Sequence, residues 1–199
     1  ITSAYMMGRF PPYVKDLKRG MQAAQNTILA HFRAVRLYKR MNLGGKIGAV
    51  HAILPVYPSD ICQQDLDAAR RQAELRLDIW LQPMLQGIYP PQLLAELPAY
   101  RHAMPEDYQQ QLDQWFAPMD FVGINYYCPA RTRYEPNNDT LSQNVETFYA
   151  QPGKMLTYPA GLFDSMIYLR EKYDNIEVYI TENGLFLPNT GNEEEEVND

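Results

Sequence analysis

Val178-Tyr179-Ile180-Thr181-Glu182-Asn183-Gly184 is the stretch on which the reading of this chain turns. Up to Thr181 it is β-branched and aromatic, the composition of a buried strand, and Asn183-Gly184 supplies the backbone freedom of a sharp exit. Glu182 therefore falls at the carboxyl end of a strand. In parallel α/β architectures that edge is where loops converge and ligands bind, because the sheet or barrel beneath holds them rigidly. One glutamate before a turn is most simply a solvated strand end, so Glu182 becomes a catalytic candidate only with support from elsewhere in the chain.

That support is the segment Asp120-Phe121-Val122-Gly123-Ile124-Asn125-Tyr126-Tyr127, an apolar strand running into a polar and aromatic cluster. Side chains alternate across a strand, which puts Asn125 and Tyr127 on one face and Tyr126 on the other. A phenol and an amide on one face can hold a carboxylate by hydrogen bonds, fix its rotamer and keep it ionised, as a carboxylate nucleophile requires. The plainer alternative is a tyrosine-rich core strand.

Together these segments resemble glycoside hydrolase family 1, the retaining β-glucosidases and their relatives. In that family a T-E-N-G signature carries the nucleophile and a G-x-N-Y-Y segment carries its neighbours. The resemblance continues through Gly8 to Asp16, Ala30-His31, Gly45 to Gly48, and Asp65 to Arg70. It goes on through Asp78 to Pro83, Gly87-Ile88-Tyr89-Pro90 and Tyr158-Pro159-Ala160-Gly161-Leu162. Each match is weak alone, and their common order and spacing make the joint match strong. The resemblance implies that Glu182 is the nucleophile, that Tyr127 orients it, and that Asn125 forms a polar wall beside the reacting sugar. It implies a β-glucoside or small oligosaccharide as substrate and no metal or organic cofactor. The family's acid/base carboxylate lies in a T-x-N-E-P motif that this sequence does not contain. Nor does it contain the family's amino-terminal strands, with their sugar-binding Gln and His, or the last strand with its Trp. The chain accordingly reads as an internal fragment, somewhat under half of one catalytic barrel, inactive or nearly so by itself. Two alternatives stay open: a 6-phospho-β-glucosidase, which differs in reading a sugar phosphate, and a barrel that binds sugar without turnover.

Composition agrees. With 199 residues and 46% hydrophobic side chains, the chain has the content of one globular unit, here residues 1–199 as part of a single barrel with no second domain. The expected class is α/β, about strands 5 to 7 of a (β/α)8 barrel with flanking helices; a whole barrel needs about 250 residues, so this one is incomplete. A net charge of −6 without a basic stripe argues against nucleic acid. No run of about eighteen apolar residues is present to span a membrane. Cys62 and Cys128 have neither disulfide-framework nor zinc spacing, which suits a reducing, cytoplasmic setting, with a signal peptide left open. The acidic run Glu193 to Glu196 reads as a solvated loop. Oligomeric state is not legible.

The elements expected between the motifs alternate. Asp16 to Met41 reads as one helix with Leu17, Met21, Ala24, Ile28, Val35 and Tyr38 on one face, His31 packed beside it, and Gly44-Gly45 at its end. Lys46 to Leu54 reads as a strand covered on both faces, with His51 toward the barrel mouth. Ser59 or Asp60 would cap a helix with Leu66, Ala69, Ala73, Leu77 and Trp80 inward, ahead of a bend at Pro83 to Pro91. A short helix over Pro105 to Gln114, an irregular stretch from Cys128 to Thr157, and a helix opened by Pro159 complete the order. In that last helix Leu162, Phe163, Met166 and Leu169 form the expected apolar side.

Overall fold

The computed structural model describes residues 1–146 and 158–184. The chain divides into two compact units, Ile1–Ala49 with Glu74–Phe121 and Val50–Ala73 with Val122–Asp199.

The first unit is built around α1 (Leu17–Met41). Asp16 starts it in extended conformation, its carboxylate accepting the Arg19 N–H at 3.1 Å, and Asn42 ends it in the left-handed region at φ 50°. The helix ends at Met41 as expected, but the residue that caps it is Asn42 rather than the Gly44-Gly45 pair, because asparagine tolerates positive φ. Met21, Ala24, Ile28 and Val35 are buried as their spacing requires, and Phe32 joins them. Each large side chain so buried contributes about 1.5–3 kcal/mol. Helices α3 (Ile79–Gln86), α5 (Pro98–Ala103) and α6 (Tyr108–Trp115) pack on α1, and α4 (Pro91–Glu96) packs on α5. Gln25 is fully buried in this packing because every part of its amide is used. Its Nε2 donates to the Tyr108 carbonyl and Gln111 Oε1, and its Oε1 accepts from the Tyr89 hydroxyl at 2.8 Å. His31 is half-buried against the Phe32 ring, and burial lowers its pKa from 6.5. The bend expected over Pro83 to Pro91 falls at Gly87, whose φ of 71° suits glycine, while Pro83 lies inside α3.

In the second unit α2 (Gln63–Ala73) carries a small sheet. β2 (Val56–Pro58) pairs parallel with β4 (Ala130–Arg133), and β4 pairs antiparallel with β5 (Gln143–Glu146). Neither Ser59 nor Asp60 caps α2. Asp65, in the first turn, reaches back to the Asp60 N–H at 3.1 Å and across to the Tyr134 N–H at 2.7 Å. That double acceptance buries Asp65, turns the helix so that Ala68 and Ala69 face inward, and leaves Leu66 at 42% exposure. Leu77 is buried as expected, but the helix does not continue in register to Trp80: after a π-type turn over Glu74–Asp78 the next buried residues are Ile79 and Leu81. The Cys128 to Thr157 stretch is thus not wholly irregular, since β4 and β5 lie within it; residues 147–157 fall outside the described residues, as do Glu193 to Glu196.

The sheet that bears on function is β1 (Gly48–Ile53), β3 (Phe121–Tyr126) and β6 (Glu177–Asn183), in that order. Gly48 lies against Phe121 and Val50 against Gly123, so β1 and β3 advance together. Thr181 then lies beside Gly123 and Ile124, and Asn183 beside Tyr126, so β6 also runs parallel. These are the three barrel strands expected from the sequence. Gly123 has to be glycine for packing: a Cβ there would stand 2.8 Å from a Val50 methyl and 3.1 Å from the Thr181 methyl. The two outer strands differ from expectation in burial. Val50 is 52% exposed, and β6, which among the described residues pairs on one edge only, is exposed along all but one residue. Helix α7 (Ala160–Lys172) follows Pro159 and buries Gly161, Ser165 and Leu169, while Phe163 is 66% exposed. Tyr126 accounts for the small residue at Gly161: its ring sits where a Cβ would fall, and its hydroxyl donates to the Tyr158 carbonyl.

Candidate active site

Glu182 is the penultimate residue of β6, and Tyr127 lies one residue beyond β3, so the parallel register brings the two strand ends side by side. The Tyr127 hydroxyl donates to Glu182 Oε2. That hydrogen bond, more than the accompanying desolvation and the nearby negative charge, raises the Tyr127 pKa above its ordinary 10.0. The phenol donates and the carboxyl group accepts, which is the division of labour a nucleophilic carboxylate needs. Tyr127 is half-buried and Glu182 exposed.

Asn125 is half-buried in β3, and its partner is the residue before the glutamate: Thr181 Oγ1 lies 2.6 Å from Asn125 Oδ1. Thr181 Oγ1 is also 3.1 Å from the Ile124 carbonyl. On the other side of Glu182, Asn183 Nδ2 donates to the Tyr126 carbonyl at 2.8 Å. Asn183, expected to open the exit turn, is still a strand residue whose amide closes the β3–β6 seam, and of the expected Asn-Gly exit only Gly184 lies beyond the strand. The three residues singled out in the sequence thus gather at the carboxyl ends of two adjacent strands. Tyr126 faces the other way, toward α7, as strand alternation requires, and burial pushes its phenol up to about 12.

Thr181 and Asn183 were not anticipated as parts of this arrangement. The signal was present in the sequence: both are polar, both flank the glutamate, and a polar side chain at a strand end has a backbone carbonyl of the next strand within reach. His51 is half-buried in β1. Among the described residues neither Cys62, which is exposed, nor Cys128, which is buried, forms a disulfide. Among the described residues no group of three or more His, Cys, Asp or Glu could hold a metal ion, and no helix is long and apolar enough to cross a membrane.

A parallel arc of strands carrying a carboxylate on one strand end and the phenol that holds it on the next is a segment of a (β/α)8 barrel, seen at the carboxyl ends of its strands. Comparison with known proteins gives the class its family. The model of glycosyl hydrolase family 1 matches residues 1–199, and the chain belongs to that family. It is 28% identical over 186 residues to β-glucosidase A of Acetivibrio thermocellus, covering 90% of this chain and 41% of that relative. It is 29% identical over 198 residues to a 6-phospho-β-glucosidase of Bacillus subtilis, covering 93% of this chain and 42% of the relative. A family 1 β-glucosidase of solved structure from Thermotoga maritima superposes with a TM-score of 0.86 at 28% identity, covering 97% of this chain and 43% of that one. The chain therefore spans less than half the length of the relatives it matches, and the barrel is incomplete within it.

Proposed function

We propose that the intact protein carrying this chain is a retaining β-glucosidase that works by double displacement, with Glu182 as the nucleophile. The observation that carries this reading is the hydrogen bond from Tyr127 to Glu182 at the ends of adjacent parallel strands. A carboxylate held by one oxygen on a protonated phenol keeps its rotamer and leaves the second oxygen free to attack. In a retaining glycosidase two carboxyl groups stand about 5 Å apart across the scissile bond. Glu182 attacks the anomeric carbon while the partner carboxylic acid protonates the leaving oxygen. The partner, now a carboxylate, takes a proton from water, which displaces Glu182 and restores the sugar's configuration. By resemblance to the family, that partner belongs to the T-x-N-E-P motif, which this stretch of sequence does not contain. The 199 residues alone are then expected to hydrolyse nothing measurably. Asn125 forms part of the sugar-binding wall. The reaction needs no metal or organic cofactor.

The test is steady-state kinetics of the intact protein, wild type and Glu182→Gln, on an aryl β-glucoside and on its 6-phosphate. Replacing a covalent nucleophile is expected to lower kcat by roughly 10⁴-fold or more. Full activity in Glu182→Gln would sink the assignment. A second reading, the 6-phospho-β-glucosidase, is favoured by the comparable identity to the Bacillus subtilis relative, and a preference for the phosphorylated substrate would establish it.

A further inference from the structure

We infer that Thr181 is a positioning residue that turns the Asn125 amide so that Asn125 meets the sugar as a hydrogen-bond donor. The inference rests on the glycosidase reading above and adds the polarity of one contact. The 2.6 Å separation between Thr181 Oγ1 and the Asn125 side chain is the length of an O–H···O bond and shorter than an N–H···O bond, so the amide atom facing the threonine is its oxygen. The hydroxyl carries one proton and has two acceptors in reach, Asn125 Oδ1 and the Ile124 carbonyl at 3.1 Å; the shorter contact takes it. With Oδ1 engaged, the planar amide has one orientation, and Nδ2 is directed away from β6. Among the described residues Nδ2 has no hydrogen-bond partner, although Asn125 is half-buried. Two N–H donors are thus left open one strand away from Glu182, on the residue that precedes the Tyr126-Tyr127 pair. A sugar hydroxyl or ether oxygen offering a lone pair fits them, whereas a group able only to donate does not.

Thr181 is well placed for the task because its methyl is fixed. It packs against Gly123, where any larger residue would displace it, so the hydroxyl is held toward Asn125. Thr181→Val keeps that shape and removes the proton, freeing the amide to turn over. Thr181→Ser keeps the proton.

The experiment is a double-mutant cycle in the intact protein, with kcat/KM on an aryl β-glucoside measured for wild type, Thr181→Val, Asn125→Ala and the double variant. Thr181→Val is expected to lower kcat/KM about 10-fold, the loss typical of one misdirected hydrogen bond, and to add nothing in the Asn125→Ala background. Thr181→Ser should recover most of the loss, and the pH profile of Thr181→Val should keep its shape. An equal loss in both backgrounds, or no loss in either, would overturn the inference, because Thr181 would then act through something other than Asn125. If the wild-type protein hydrolyses neither the glucoside nor its phosphate, the glycosidase reading fails separately. Calorimetric titration of the same four proteins with deoxynojirimycin, a glucose-shaped iminosugar, then reads the coupling directly: coupled losses of affinity support the inference, and additive losses or no binding overturn it.

Discussion

The β4–β5 hairpin seated on α2 and the β3–β6 strand pair are both held by side chains that bond to backbone, yet they spend their polar groups differently. On α2, Asp65 accepts two backbone N–H groups, Arg71 donates to the Leu141 carbonyl, and Gln72 donates to Ser142 Oγ at 2.6 Å. Across the small sheet Thr132, fully buried, donates to the Gln143 carbonyl. These groups face one another, and what they yield is a fixed hairpin. Along the β3–β6 seam each side chain is committed at one end only. Tyr127 holds one oxygen of Glu182, Thr181 holds one end of Asn125, and the other ends stay open. Side chains that close on one another offer stability, even with Asn144 Oδ1 of β5 left buried without a hydrogen-bond partner among the described residues, and side chains that stop halfway offer chemistry, because an oriented group with a free lone pair or proton is what a substrate needs.

Breaking each region should therefore produce a different kind of loss. The largest effect on stability is expected from Asp65→Ala, which leaves the partly buried Tyr134 and Asp60 N–H groups without their acceptor and should cost about 2 kcal/mol. Equilibrium denaturation would show this as a lower midpoint, and Asp65→Asn, which keeps an acceptor oxygen, should lose less. An unchanged midpoint in Asp65→Ala would mean that the hairpin is held by packing alone. Tyr127→Phe should behave oppositely, lowering kcat about 10- to 100-fold through loss of the hydrogen bond that orients Glu182, while the denaturation midpoint stays in place. A Tyr127→Phe variant that loses stability and keeps its kcat would reverse the comparison.

The same contrast explains what could be read from the chain before its structure. The barrel strands and α1 were legible because their signals are local: a run of β-branched residues, a three- and four-residue apolar step, and an Asp at the helix start. The strand-end positions of Glu182, Tyr127 and Asn125 followed from the same local signals together with the family motifs. The small sheet was not legible, since β4 and β5 are four residues each and are fixed by Asp65, Arg71 and Gln72 from far away in sequence. Neither was the inward turn of α2, where a buried carboxylate overrode the apolar stripe that Leu66 seemed to begin. Thr181 and Asn183 escaped notice for a related reason: a polar residue in a strand reveals its partner only when the register with the neighbouring strand is known.

A third, smaller effect tests the comparison in the first unit, where a charge supports the entry into a barrel strand. Asp120, just before β3, accepts the Ile47 N–H at 3.0 Å and pairs with Lys39 at 3.0 Å. The backbone hydrogen bond, and after it the Lys39 partner, lowers its carboxyl below the ordinary 3.8. A carboxyl group more acidic in the folded state than in the unfolded one adds stability that is fully present above the ordinary value and is lost as pH falls through the lowered one. Asp120→Asn keeps an oxygen for Ile47 and loses the charge. Because Lys39 is 45% exposed, solvent screens the pair, and the variant should lose only about 0.5 kcal/mol at neutral pH. That difference should fade below about pH 3.8 as the wild-type carboxylate is protonated, and it should shrink in high salt. A pH-independent difference would assign the effect of Asp120 to geometry alone, and would place it with the backbone-bonded groups of the hairpin rather than with the strand end at Glu182.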